Sequence, residues 1–146
     1  MTAPLVSSFD PVQFLADVAP NHGDLLGLTY SAHGPDWAEL TLPFDPAQIG
    51  DPDRGVIASG PIITLMDVAT SLSVWLKLGD FRTHATLDLR VDYLRPATPG
   101  KTVFGRGDCY RITRSIAFVR GLAHDGDRND PLAHVAGTFM APEGYF

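Results

Sequence analysis

Between Ala58 and Gly79 the apolar residues follow a helical period and fall on nearly every side of it. Ile62, Leu65, Met66, Ala69, Leu72 and Leu76 form one flank, and Ile63, Val68, Val74, Trp75 and Leu78 occupy the rest. A helix that is apolar all round has to be covered over most of its circumference, so this one is expected at the centre of the fold. Ser59 as N-cap, Pro61 in the first turn and Gly79 at the end mark its limits. One narrow polar strip interrupts it: Thr64, Asp67 and Ser71, at i, i+3 and i+7, with Thr70 and Ser73 beside them. That spacing stacks the three side chains on one face.

Elsewhere the period shortens to two. Residues 84–96 alternate, with Leu87, Leu89, Val91 and Tyr93 expected on one face and Thr86, Asp88, Arg90 and Asp92 on the other. After a turn at 96–100, three further strand-length segments (101–112, 115–125 and 132–140) are separated by Thr113-Arg114 and by 126–131. Upstream, 25–33 and 37–44 flank Gly34-Pro35-Asp36 and read as a hairpin, and 45–57 read as a loop. A short helix precedes them, capped by Ser8 or Asp10, with Pro11 in its first turn, Val12, Phe14, Leu15 and Val18 on one face, and Pro20 ending it. The order predicts an α+β fold: a curved antiparallel sheet of about six strands wrapped around one long central helix, with a short N-terminal helix.

Composition narrows this to a single domain. With 146 residues, 45% of them hydrophobic, the chain can bury one core, expected over about 25–141 with a helical extension at 9–19. The single cysteine, Cys109, rules out an internal disulfide, and no His–Cys spacing suits zinc, so neither a metal nor a bound cofactor is expected. The N-terminus lacks a basic and then apolar leader, and no run reaches the roughly 18 apolar residues of a membrane span. A cytoplasmic protein without a membrane partner is the expectation. The net charge of −6 is uneven: residues 1–53 carry eight Asp or Glu and no Lys or Arg. Between Arg82 and Arg120 eight basic residues face only three aspartates, a local field suited to phosphates. A sequence pI near 5.1 argues against nucleic acid.

Three motifs then resemble the PaaI-like acyl-CoA thioesterases of the hotdog superfamily. Gly55-Val-Ile-Ala-Ser-Gly60 followed by Asp67 matches the spacing of that family's G-x-x-H-G-G and helical Asp, with Ala58 at the histidine position and Pro52 where many relatives have Asn. Thr86 to Pro96 is similar to the strand ending in Y-L-x-P, and Thr113-Arg114 to the family's Gly-Arg turn. The resemblance implies hydrolysis of an acyl-CoA to a free acid and coenzyme A. Asp67 would be the nucleophile or general base, and the Ser59 amide the oxyanion donor, with Gly60 allowing close approach. Thr86 would hold the attacking water. Coenzyme A contacts would fall to Tyr93, Arg95, Arg111, Thr113, Arg114 and Ser115. The resemblance also implies a homodimer whose sheets join edge to edge and share the site, with a tetramer of two such dimers as a further assembly.

The residues agree with that reading, since a carboxylate in an otherwise apolar helix is costly to bury without a partner or a function, and backbone N–H groups at a helix start suit an oxyanion. Two rivals stand beside it. A non-catalytic acyl-CoA binding protein would explain the absent His and Asn. A hotdog enoyl-CoA hydratase is suggested by 126–134, GDRNDPLAH, but its spacing is wrong by one residue on each side of the proline, and it reads better as a hairpin loop.

Overall fold

The computed structural model describes residues 9–18 and 21–146. Ser8 and Pro20, proposed cap and terminator of the first helix, and residue 19 of the extension lie outside the described residues. Helix α1 (Pro11–Asp17) starts at Asp10, whose carboxylate accepts from the Val12 and Gln13 amides at 2.9 and 3.2 Å. A second short helix, α2 (His22–Leu26), replaces the start of the expected first strand. Asn21 and Asp24 form a reciprocal capping box around its first turn, and Gly27 ends it at φ 76°. The apolar pair Leu25-Leu26 was read as strand because the capping signal lies in polar residues just upstream.

Strands β1 (Thr29–His33) and β2 (Trp37–Leu42) then form the expected hairpin. The stretch 45–57 is more ordered than a loop. A 3-10 turn (Pro46–Gln48) leads into a two-stranded pair, β3 (Ile49–Asp51) and β4 (Val56–Ile57), which delivers the chain to α3 (Ser59–Leu78). Strands β5 (Ala85–Tyr93), β6 (Val103–Ile112), β7 (Ile116–His124) and β8 (Ala133–Met140) complete a six-stranded antiparallel sheet in the order β1-β2-β6-β7-β8-β5. The expected α+β architecture is therefore the observed one.

The sheet wraps α3 through its smallest side chains. Gly105 and Gly107 of β6 lie so close to the helix that a Cβ would stand 2.6 Å from Leu65 Cγ and from the Thr70 backbone, respectively. Around this approach Leu40, Leu42, Leu65, Met66, Leu72 and Val103 are fully buried. The helix begins at Ala58, which supplies no side-chain cap; Ser59 is the first helical residue rather than the N-cap. It stops at Gly79, in the left-handed region at φ 72°. Helix α3 is long and apolar enough to cross a membrane, an 18-residue window of it reaching a mean hydropathy of 1.3, although polar residues interrupt it throughout. Here half of that window is buried inside the fold, which accounts for its apolarity. Strand β5 is one edge of the sheet, β1 the other, and Leu87 and Tyr93 of β5 and the following Leu94 are exposed.

Candidate functional site

Asp67 faces a cavity of about 230 Å³ between α3, α1 and the start of β5. Its walls are aromatic and aliphatic, with Phe14, Leu15, Val68, Leu72, Trp75 and Phe139 among them. Besides Asn21, four polar side chains in two pairs line this mainly apolar space. Thr86 donates its hydroxyl to Asp67 Oδ1 at 2.8 Å. Ser71, one turn further along the helix, is 2.6 Å from Nε2 of His84. Asp67 and Ser71 share a face because they are four residues apart, and Thr86 and His84 come from the run into β5.

The first pair depends on a bulge. Strict alternation puts Thr86 with Asp88 and Arg90 on the outer face of β5. The register against β8 instead slips between Thr86 and Asp88: Thr86 opposes Phe139 and Asp88 opposes Thr138, leaving Leu87 as the extra residue. Thr86 thereby joins Leu89 and Val91 on the face toward α3, where it meets Asp67. The sequence reading of the two faces is corrected at Thr86 and at Leu87, which is the exposed bulge residue instead of a member of the face holding Leu89 and Val91.

The second pair was only partly visible in the sequence, where Ser71 belonged to the polar strip and His84 had no assigned role. His84 stacks on Trp75, with centroids 4.5 Å apart, and meets Phe139 edge-on at 4.9 Å. Burial among these rings lowers its pKa from 6.5 to about 4, so it stays neutral at physiological pH. Its Nδ1 is buried without a hydrogen-bond partner. A bare acceptor left unpaired costs less than an unpaired N–H, which favours the tautomer in which Nε2–H donates to Ser71. The Ser71 hydroxyl hydrogen is then free to point into the cavity. Phe14 and Leu15 were missed as site residues: their apolar face was legible, but not what it covers.

The start of α3 offers a separate feature. With no side chain capping them, the Ser59 and Gly60 amides lie at the positive end of a 20-residue helix. Both residues are exposed, and nothing lies within 4 Å of a Cβ placed on Gly60. Ala58, at the position of the family's histidine, packs against Gly50. Ser59 and Asp67 are eight residues apart, about 12 Å along the axis at ~1.5 Å per residue. One thioester carbonyl cannot touch both within one chain.

The six expected coenzyme A contacts divide between the two ends of the sheet. Arg111 lies near the end of β6, and Thr113, Arg114 and Ser115 form the β6–β7 turn, where Thr113 Oγ1 accepts from the Ile116 amide at 3.2 Å. This end is shared with Thr86, since Ile116 and Ala85 both oppose Met140. Tyr93 and Arg95 stand at the far end. Tyr93 is exposed, whereas Arg95 bonds both carboxylate oxygens of Asp125, at 2.7 and 3.2 Å, and the Asp130 carbonyl at 2.8 Å. The hydratase-like segment forms the β7–β8 connection at this far end, with Asp127 turned back on the Asn129 amide and His134 exposed, so neither lines the Asp67 cavity. Among the described residues, no three of His, Cys, Asp or Glu converge as a metal-binding group.

The sequence profile of the thioesterase superfamily matches residues 54–132, which include the start of α3, Asp67 and Thr86. A putative esterase of Haemophilus influenzae is 34% identical over 104 residues, 71% of each chain. A Pseudomonas aeruginosa protein of known crystal structure is 43% identical, with a TM-score of 0.77 over 88% of this chain and 94% of that one. The crystal structure of a Haemophilus influenzae thioesterase, 25% identical, superposes with a TM-score of 0.79 over 93% of both chains.

Proposed function

The chain belongs to the thioesterase superfamily and has the hotdog fold of its PaaI-like members, and on that premise we propose that it hydrolyses an acyl-coenzyme A thioester at Asp67. The observation that carries this reading is the Thr86–Asp67 hydrogen bond on the wall of an open, mainly apolar cavity. Thr86 occupies one carboxylate oxygen and fixes the plane of the group, which leaves Oδ2 for a water molecule. Asp67 takes a proton from that water as its oxygen attacks the thioester carbon. The Ser59 amide stabilises the resulting oxyanion, and Gly60 lets the substrate approach. Collapse of the intermediate expels the coenzyme A thiolate, which takes the proton back from Asp67, and the free acid leaves.

The separation of about 12 Å between Ser59 and Asp67 along α3 supports a site shared by two chains, the helix start of one serving the carboxylate of the other. The exposed apolar edge of β5 supports the same assembly. Antiparallel pairing of β5 with β5 about a two-fold axis would bring Tyr93 of one chain toward the Thr86 end of its partner. The divided contacts for coenzyme A would then form one surface, with Arg111, Arg114, Thr113 and Ser115 beside Tyr93. Arg95, already matched by Asp125 and Asp130, would hold the β7–β8 loop beside it. The buried, free Cys109 is in keeping with a reducing cytoplasm.

A panel of acyl-CoAs with thiol detection tests the proposal. Wild type should release free thiol from at least one substrate class, and Asp67→Asn should lower kcat by about a hundredfold or more without unfolding the chain. Pro52 and Ala58 leave room for a binding protein without turnover; acyl-CoA binding with no thiol release above background would establish that reading instead.

A further inference from the structure

A second cavity of about 250 Å³ adjoins the first. The two have Leu15, Asn21 and Val68 in common, so they are neighbours. Val68 is β-branched on a helix and stiff at χ1. Leu15 projects from α1, is only half-buried and has more rotamers available. Leu15 is thus the shared wall residue best able to move aside. We propose that the second cavity is the distal subsite for a linear acyl chain, whose carbonyl end lies at Asp67 and whose methyl end passes Leu15. This rests on the acyl-CoA thioesterase reading above and adds the class of acyl group.

The chemistry of the walls selects hydrocarbon. Ala16, Leu28 and Leu40 line the cavity together with Leu15 and Val68. Each of its polar lining side chains, Asn21, Asp24, Thr29 and Tyr30, holds at least one hydrogen-bond partner. Asn21 Oδ1 accepts from the Gly23 and Asp24 amides at 2.7 and 3.3 Å, and Asn21 Nδ2 donates to the Val18 carbonyl. The Asp24 carboxylate accepts from the Asn21 amide at 2.7 Å. Thr29 is 2.6 Å from Thr41, and the Tyr30 hydroxyl is 2.9 Å from His33 Nδ1. No side chain there requires a polar ligand, and a polar chain end would lose its water without replacement. Two of the three side chains shared by the cavities, Leu15 and Val68, are aliphatic, which suits a methylene chain.

The test compares butanoyl-, octanoyl- and dodecanoyl-CoA on the intact protein. Wild type should give a kcat/KM for octanoyl-CoA well above that for butanoyl-CoA. Ala16→Phe, which puts a ring into the second cavity, should lower the octanoyl-to-butanoyl ratio about tenfold or more. Leu15→Ala, which opens the passage, should move the ratio of dodecanoyl to octanoyl the other way, so the proposal stays exposed should Ala16→Phe not fold. Hydrolysis of all three substrates with ratios that neither variant moves would sink the subsite and leave the thioesterase reading standing. Absence of thiol release from any acyl-CoA would remove both.

Discussion

Thr86 reaches Oδ1 of Asp67 at 2.8 Å only because β5 bulges at Leu87. Without the extra residue, the threonine would point to the outer face. Thr86→Val keeps the shape and strand propensity while deleting the hydroxyl. Losing one hydrogen bond to a charged group should reduce kcat about tenfold with little change in KM. Thr86→Ser should recover most of the rate. Steady-state assays on the three proteins check this, and an unchanged kcat in the valine variant would count against the role.

His84 makes stability depend on pH. Its pKa of about 4 in the fold lies below the 6.5 of an unfolded chain, so between these values the unfolded state binds the extra proton. The contribution is intact above about pH 6.5 and is lost as pH falls toward 4. His124, whose pKa burial also lowers, acts in the same direction. Urea midpoints for wild type and His84→Gln at about pH 7 and about pH 4.5 should show a smaller drop in the variant. An equal drop in both would assign the pH dependence elsewhere.

The β7–β8 loop is anchored through an ion pair whose acid is buried. The Asp125 side chain is 5% exposed and the Arg95 side chain 26%. Asp125 also accepts from the Thr98 amide at 2.8 Å. The Arg95 guanidinium holds the Asp125 carboxyl well below its usual range. A depressed carboxyl contributes stability that is complete above its unfolded value of 3.8 and fades as pH drops below it. Removing the acid leaves Arg95 with only the exposed Asp130 carboxylate, 3.2 Å from Nε, as its counter-charge. Asp125→Ala should therefore cost about 2–3 kcal/mol near neutral pH by chemical denaturation, and acid should destabilise the variant less than wild type.

Sequence periodicity served well where one physical cause dominates. The all-round apolarity of 58–79 has a single explanation, a helix enclosed by a sheet, and the lone polar strip pointed to Asp67. The alternation of 84–96 located β5 but misplaced Thr86, because a bulge is set by pairing with β8 and leaves little trace in composition. Leu25-Leu26 looked like strand because a five-residue helix is too short to display a period, although its Asn21–Asp24 capping box was present to be read. His84 escaped because its role depends on rings from α3 and β8 that lie far away in the chain. The basic stretch from Arg82 to Arg120 looked continuous in sequence, yet the sheet sends its parts to opposite ends.

The distance along α3 between Ser59 and Asp67 makes the shared site open to a direct test. Ser59→Pro deletes the proposed oxyanion donor, and proline is tolerated at a first helical position following an extended residue, here Ala58 at ψ 158°. Both Ser59→Pro and Asp67→Asn should be nearly inactive alone. Refolded together in equal amounts, half the dimers would be mixed, and in each of these one of the two sites would combine an intact helix start with an intact carboxylate. About a quarter of wild-type activity should return. If each chain held a complete site, mixing would restore nothing. Leu87→Glu, which places a charge on the exposed edge of β5, should abolish both this complementation and the dimer expected of wild type in sedimentation, because a buried unpaired carboxylate opposes the edge pairing.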